Sequence, residues 1–183
     1  MTVDLVHDAL VWRTGRFEMR PLQATDAAGL MAHLGDAQVT AFMDIPPLSS
    51  ISEAMEIINW SQARRNANAG VRWSIRPRAG GGLVGTCGYN QIQAGAAGEI
   101  AYDVARPHWG ERVMDEVMPP MLGFGFRRLA LGRITALVTF GNDHSCRLLE
   151  RHGFAQESLL RESGSWKGRY WDQHLYARAS DAH

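Results

Sequence analysis

"EIAYDVARPHWGERVMDEV", residues 99–117, is the stretch on which the fold turns. "EIAYDVA" alternates apolar and polar positions as a half-buried strand does, and from "DEV" onward the apolar spacing is helical. The joint between them contains a single glycine, Gly110. A strand that runs through a short loop into a helix presents free backbone N–H groups and the positive end of the helix dipole, which suit a pyrophosphate. Arg112 stands where such a loop ordinarily has its second glycine. By itself the segment also reads as a plain strand–loop–helix joint, so its meaning depends on its flanks.

Upstream, "FEMRPLQ" (17–23) is a strand and "ATDAAGLMAHLGD" (24–36) a helix, with Thr25 or Asp26 as N-cap. A Pro-Pro turn leads to a second helix, capped by Ser50 or Ser52, that ends near residues 66–70. Glu53 stands three residues after Ser50, as a capping box requires. "VRWSIRPR" (71–78) and "LVGTCGYNQI" (83–92) form a hairpin about "AGGG". Downstream, the helix continues to residue 131 with Pro119 and Pro120 inside it, which predicts a kink or a split. "GRITALVTF" (132–140) is a buried strand. "GNDHSCRLLERHGF" (141–154) is a helix capped at Asn142 or Asp143 and closed by Gly153. Two strands, 157–163 and 170–178, flank the turn "GSWKGR", and the tail 179–183 is expected to be disordered. The string β-α-α-β-β-β-α-β-α-β-β implies a mixed sheet with helices on both faces.

Composition narrows the function. The 183 residues carry 19 Lys+Arg and 19 Asp+Glu, so no bulk field favours nucleic acid or an anionic membrane. Cys87 and Cys146 fit no metal or disulfide pattern and read as free thiols of a cytoplasmic protein. The N-terminus lacks the features of a signal peptide, and no apolar run is long enough to cross a membrane. His108, His144 and His152 lie near the motifs without zinc spacing, so no metal is expected.

The order of "FEMRPL…TDAAGL", "GLVGTCGY", "EIAYDVARPHWGERVMDEV", "FGFRRLALGRITALV", "NDHSCRLLERHGF" and "LLRES…GRYWDQHLYA" resembles the GNAT superfamily of acetyl-CoA-dependent N-acetyltransferases. It is most similar to the branch that acetylates N-termini of ribosomal proteins. The resemblance covers residues 16–178, and its most specific parts are 142–154 and the Trp109-Gly110 pair. It implies one α/β domain over 1–183, with a mixed, mostly antiparallel twisted sheet, splayed parallel strands and helices on both faces. It also implies acetyl-CoA as co-substrate, an amine acceptor (a peptide N-terminus or a small molecule) and a monomer or homodimer.

Site residues follow from the same resemblance. Tyr102, Asp103 and Val104 fall on the splayed strand whose backbone pairs with pantetheine. Trp109, Gly110, Glu111, Arg112, Val113 and Met114 fall on the six positions of the pyrophosphate loop. The family pattern has glycine where Arg112 stands, and glycine or alanine where Met114 stands. Asn142 matches an asparagine that bonds the pantetheine region, and it also reads as a helix cap. Ser145 matches a serine that protonates the departing thiolate, and otherwise reads as a neutral helix residue. The base for the amine is Glu162, which at strand period faces the same way as Gly164, or Glu99, with Asp103 a third candidate. Some relatives carry a glutamate at the position of Gly164. Trp60, Trp73, Trp166 and Trp171 are candidates for an acceptor pocket, Trp166 foremost. The rival function is a CoA- or ligand-binding module with weak or lost transfer.

Overall fold

Capping and period explain where the elements begin. The computed structural model describes residues 4–6 and 10–180, which form eight strands and four α-helices. The strands are β1 (Trp12–Arg13), β2 (Phe17–Pro21), β3 (Val71–Pro77), β4 (Gly85–Gln93), β5 (Ala97–Val104), β6 (Arg133–Thr139), β7 (Ala155–Trp166) and β8 (Arg169–Ala179). The helices are α1 (Ala27–Leu34), α2 (Ile51–Asn66), α3 (Val113–Gly123) and α4 (Asp143–Arg151). Ser50 caps α2: its hydroxyl accepts from Glu53 N at 3.3 Å, and the Glu53 carboxylate accepts from Ser50 N at 3.1 Å. Asn142 caps α4 by accepting from Ser145 N at 3.3 Å. Asp26 precedes α1 but does not cap it with its side chain. Its buried carboxylate pairs with Arg20 and Arg76 instead.

One strand was not foreseen, and two local expectations are corrected. The short strand β1, with only two residues, carries too little period to be legible. Pro119 and Pro120 do not split α3, which runs to Gly123 before widening into a π-turn at Phe124–Arg128. Ala179 belongs to β8, and Ser180 N donates to the Gly132 carbonyl at 2.9 Å. The rest of the expected disordered tail, 181–183, lies outside the described residues.

The sheet order is β1-β2-β3-β4-β5-β6-β8-β7, and every neighbouring pair is antiparallel except β5 with β6. Helices cover both faces. One core gathers Trp73, Tyr89 and Ile100 of the sheet with Met118 and Met121 of α3 and Leu149 of α4. A smaller one joins Leu30 and Leu34 of α1 to Ala54 and Ile58 of α2.

Candidate active site

The parallel pair sets the site. β5 and β6 pair only through Ala97↔Arg133, Gly98↔Ile134 and Glu99↔Thr135. Beyond Glu99 the two strands part: β5 stays bonded to β4 as far as Val104, and β6 stays bonded to β8 as far as Thr139. The sheet therefore opens into a V whose inner edges are backbone from 100–104 and 136–139. Backbone polar groups facing such a gap need a partner, which an extended ligand strand can supply. A cleft of about 1330 Å³ runs through this V.

Alternation along β5 assigns the two faces. Asp103 reaches toward α1, where His33 Nε2 lies 2.6 Å from its carboxylate, so Glu99 and Ala101 share the α1–α2 side. Ile100 packs with α3, and the Tyr102 hydroxyl lies 2.6 Å from Ser145 Oγ of α4, so these face the opposite side. Glu99 and Ser145 thus line the same cleft from opposite faces of the sheet.

The loop ahead of α3 has the conformation that a phosphate loop uses. Gly110 has φ 82°, and Arg112, the N-cap, has φ 55° and ψ 36°. Arg112 therefore adopts the left-handed geometry that glycine would adopt without a Cβ penalty. Its side chain, 76% exposed, turns along the helix to Asp115 at 3.2 Å. Arg16 braces the loop by donating to the Glu111 carbonyl at 3.1 Å, and the Trp109 indole donates to the Val104 carbonyl at 2.7 Å. Met114 turns into the core, so its bulk does not crowd the loop. Arg147 and Arg151, one helical turn apart on α4, also line the cleft, and Arg151 bonds Asp115 at 3.1 Å. Arg112 and Arg151 thus meet on Asp115 beside the helix N-terminus and Arg147 lines the same cleft, a donor set that fits a phosphorylated ligand.

The acid–base candidates are placed unequally. Ser145 and Tyr102 are hydrogen-bonded to each other beside the V, and burial drives the Tyr102 phenol well above its usual pKa. Glu99 lines the cleft at the vertex, and burial raises its carboxyl above the ordinary value. Glu162 lies in a bulge of β7 between Leu160 and Gly164, with φ 47°, and is not among the lining residues. The strand-period argument that aligned it with Gly164 therefore fails there. Glu111 is likewise outside the lining, 3.1 Å from His108 Nδ1.

Asp103 is an anchor of the strand. Burial alone would raise its carboxyl, but Arg72, His33 and Thr86 together hold it well below the usual carboxylate range. A carboxylate so held is a poor proton acceptor.

The remaining sequence candidates separate cleanly. Trp73 is fully buried core, whereas Trp60 and Trp166 line the cleft and Trp171 stacks on Trp166. A Cβ added at Gly164 would lie 1.7 Å from the Trp166 ring, so the indole fills the space where a glutamate at that position would project. Among the described residues no cluster of His, Cys, Asp and Glu could hold a metal, and no helix is long and apolar enough to cross a membrane. Sequence reasoning missed Arg147, Arg151 and the carboxylates Asp44, Glu53 and Glu56, all of which line the cleft. The i, i+4 spacing of the two arginines was the available signal.

Comparison with known proteins agrees with this geometry. The family model described as "Acetyltransferase (GNAT) domain" matches residues 16–155. The uncharacterized N-acetyltransferase p20 of Bacillus licheniformis is 33% identical over 165 residues, 90% of this chain and 93% of that protein. A ribosomal L7/L12 alpha-N-protein acetyltransferase solved with coenzyme A superposes with TM-score 0.84 at 18% identity, over 94% of this chain and 99% of the other. Spermidine N-acetyltransferase from Vibrio cholerae, solved with CoA and spermine, gives TM-score 0.77 at 22% identity over 89% and 95%. The two solved structures share the fold, and the sequence match assigns the family: the chain belongs to the GNAT acetyltransferases.

Proposed function

We propose that this enzyme moves an acetyl group from acetyl-CoA to a primary amine by direct attack on the thioester. The observation that carries the reading is the two-faced V, with Glu99 on one side and the Tyr102–Ser145 pair on the other. Backbone of 100–104 would hold the pantetheine arm, with Asn142 beside it. The loop Trp109 to Met114, with Arg147 and Arg151, would hold the phosphates. Glu99 would take a proton from the incoming ammonium, directly or through water. The amine nitrogen would then bond to the acetyl carbon as the carbon–sulfur bond breaks. Ser145 would give its proton to the departing thiolate and regain one, through water, from the proton that the newly bonded nitrogen sheds as the amide forms, while the Tyr102 hydroxyl would orient it.

Cofactor binding is the first test. Acetyl-CoA at 100 times its Kd should stabilise the fold by about 2.7 kcal/mol. At roughly 2–4 °C per kcal/mol for a domain of this size, melting should rise by about 5–10 °C. No shift at millimolar acetyl-CoA would remove the reading. A shift without thiol release for any amine would instead identify a CoA-binding module.

A further inference from the structure

The two ends of the cleft differ in charge. The lining guanidiniums Arg112, Arg147 and Arg151 all belong to α3 and α4 or the loop before α3. On the other face the lining carries Asp44, Glu53, Glu56 and Glu99. Among the described residues that line that side the one cation, Arg72, is bonded to Asp103 at 2.5 Å, and the neighbouring Lys167 ammonium is engaged by the Thr40 carbonyl. Asp44, Glu56 and Glu99 have no ion-pair partner among the described residues.

Between these carboxylates the walls are broad and apolar. Trp60 is 45% exposed, Leu137 39% and Phe42 38%, unusual exposure for residues of this size gathered on one cleft. Trp166 adds a fixed flat surface. It lies over Gly164 and stacks on Trp171 with ring centroids 5.5 Å apart at 9°, and the Arg169 guanidinium lies over the Trp171 ring at 3.3 Å. The walls are tied to one another: Lys167 Nζ donates to the Thr40 carbonyl at 2.5 Å, and Thr139 Oγ1 donates to the Phe42 carbonyl at 2.8 Å. A pocket held at fixed width costs little to organise around a ligand.

We infer that this end is an acceptor subsite for a primary ammonium carried on an apolar body of aromatic size, and that it disfavours acidic acceptors. The inference rests on the acetyl-transfer reading above and narrows its substrate class. The ammonium would sit among the carboxylates nearest the vertex, and the apolar body would lie between Trp60, Leu137 and Trp166. A linear polyamine would leave those walls in contact with water. An acidic side chain would meet Asp44, Glu53 and Glu56.

The test uses the full chain at saturating acetyl-CoA and four acceptors: phenethylamine, a tripeptide amide beginning with phenylalanine, spermidine, and a tripeptide amide beginning with aspartate. The aromatic acceptors should show kcat/KM about tenfold or more above the other two. Which of them leads distinguishes a small amine from a peptide N-terminus. Trp60→Ala and Leu137→Ala should each raise KM for the better aromatic acceptor about tenfold and leave the Kd for acetyl-CoA unchanged. Preference for spermidine or the aspartyl peptide, or indifference of KM to both variants, overturns the inference. Calorimetric binding of the same four amines separates the two proposals. If no acceptor releases thiol, transfer fails. The subsite then stands only if the aromatic amine still binds best and Trp60→Ala weakens it.

Discussion

Asp103→Asn tests whether the splayed strand is anchored electrostatically. The carboxylate is 5% exposed and has four partners: Arg72 Nη2 at 2.5 Å, His33 Nε2 at 2.6 Å, Thr86 Oγ1 at 2.7 Å and Thr86 N at 2.9 Å. Asparagine keeps the shape but offers one oxygen, turns an N–H₂ toward existing donors, and leaves Arg72 without a counter-charge. Removing one partner of a buried pair costs about 3–5 kcal/mol. For a domain of this size that lowers melting by roughly 6–20 °C.

The pH dependence has a definite sign. Burial raises this carboxyl and its partners lower it further than burial raises it, so its folded pKa lies below the unfolded value. Its contribution is therefore present above about pH 4 and is lost as pH falls toward the folded pKa. Melts by circular dichroism from pH 3 to 8 should show a wide gap between wild type and variant at pH 7 that narrows in acid. A loss under about 1 kcal/mol at pH 7, or a gap that does not change with pH, would refute the anchoring argument.

The remaining predictions concern chemistry and cofactor. Ser145→Ala should lower kcat by about 10²–10⁴ with the Kd for CoA unchanged, because the hydroxyl acts late. Tyr102→Phe, which removes only the partner hydroxyl, should lower kcat by less, and full turnover in both variants would assign the proton to water. Glu99 must be ionised to act, and burial raises its carboxyl, so kcat/KM should fall with decreasing pH on a limb above the ordinary carboxylate range. Glu99→Gln should abolish that limb, and an unchanged profile would exclude Glu99 as the base. Arg112→Gly relieves left-handed strain of about 1–2 kcal/mol and loses an exposed ion pair worth at most about 1 kcal/mol. The apo protein should therefore melt no lower than wild type, and CoA binding should weaken about tenfold with a flatter salt dependence.

The sequence leaves the effect of Arg112 open. Glycine at that position allows a close backbone approach, which an arginine Cβ obstructs, while its guanidinium is a good phosphate partner. The structure shows the left-handed geometry already fixed by Arg16 and Trp109, with the guanidinium turned out of the loop. The left-handed strain is thus already present in the ligand-free fold, and binding need not introduce it.

Elsewhere legibility followed range. Caps at Ser50 and Asn142 are local hydrogen bonds, and the alternation of β5 is local period, so both were readable. The V was expected only through the family resemblance and not from local pattern, because it depends on where the β5–β6 register stops, which the rest of the sheet decides. The bulge that turns Glu162 away is invisible for the same reason: period two holds only while pairing is regular. His33 and Arg72 are far from Asp103 in the chain: His33 reaches it through the packing of α1 on the sheet, and Arg72 through the register of β3 and β4 beside β5. The acceptor-side carboxylates carry no spacing signal, because Asp44, Glu53 and Glu56 converge through a loop and a helix rather than one repeat.

The central claim is that Glu99 and Ser145 serve one reaction across the V. The most direct measurement is simultaneous quantification of free thiol and acetylated amine after mixing the protein, acetyl-CoA and an aromatic primary amine. The account predicts equal yields of thiol and amide, both dependent on the amine and both lost together in a Glu99→Gln, Ser145→Ala double variant that still binds CoA. Thiol release independent of the amine, or amide formation unaffected in the double variant, would contradict it.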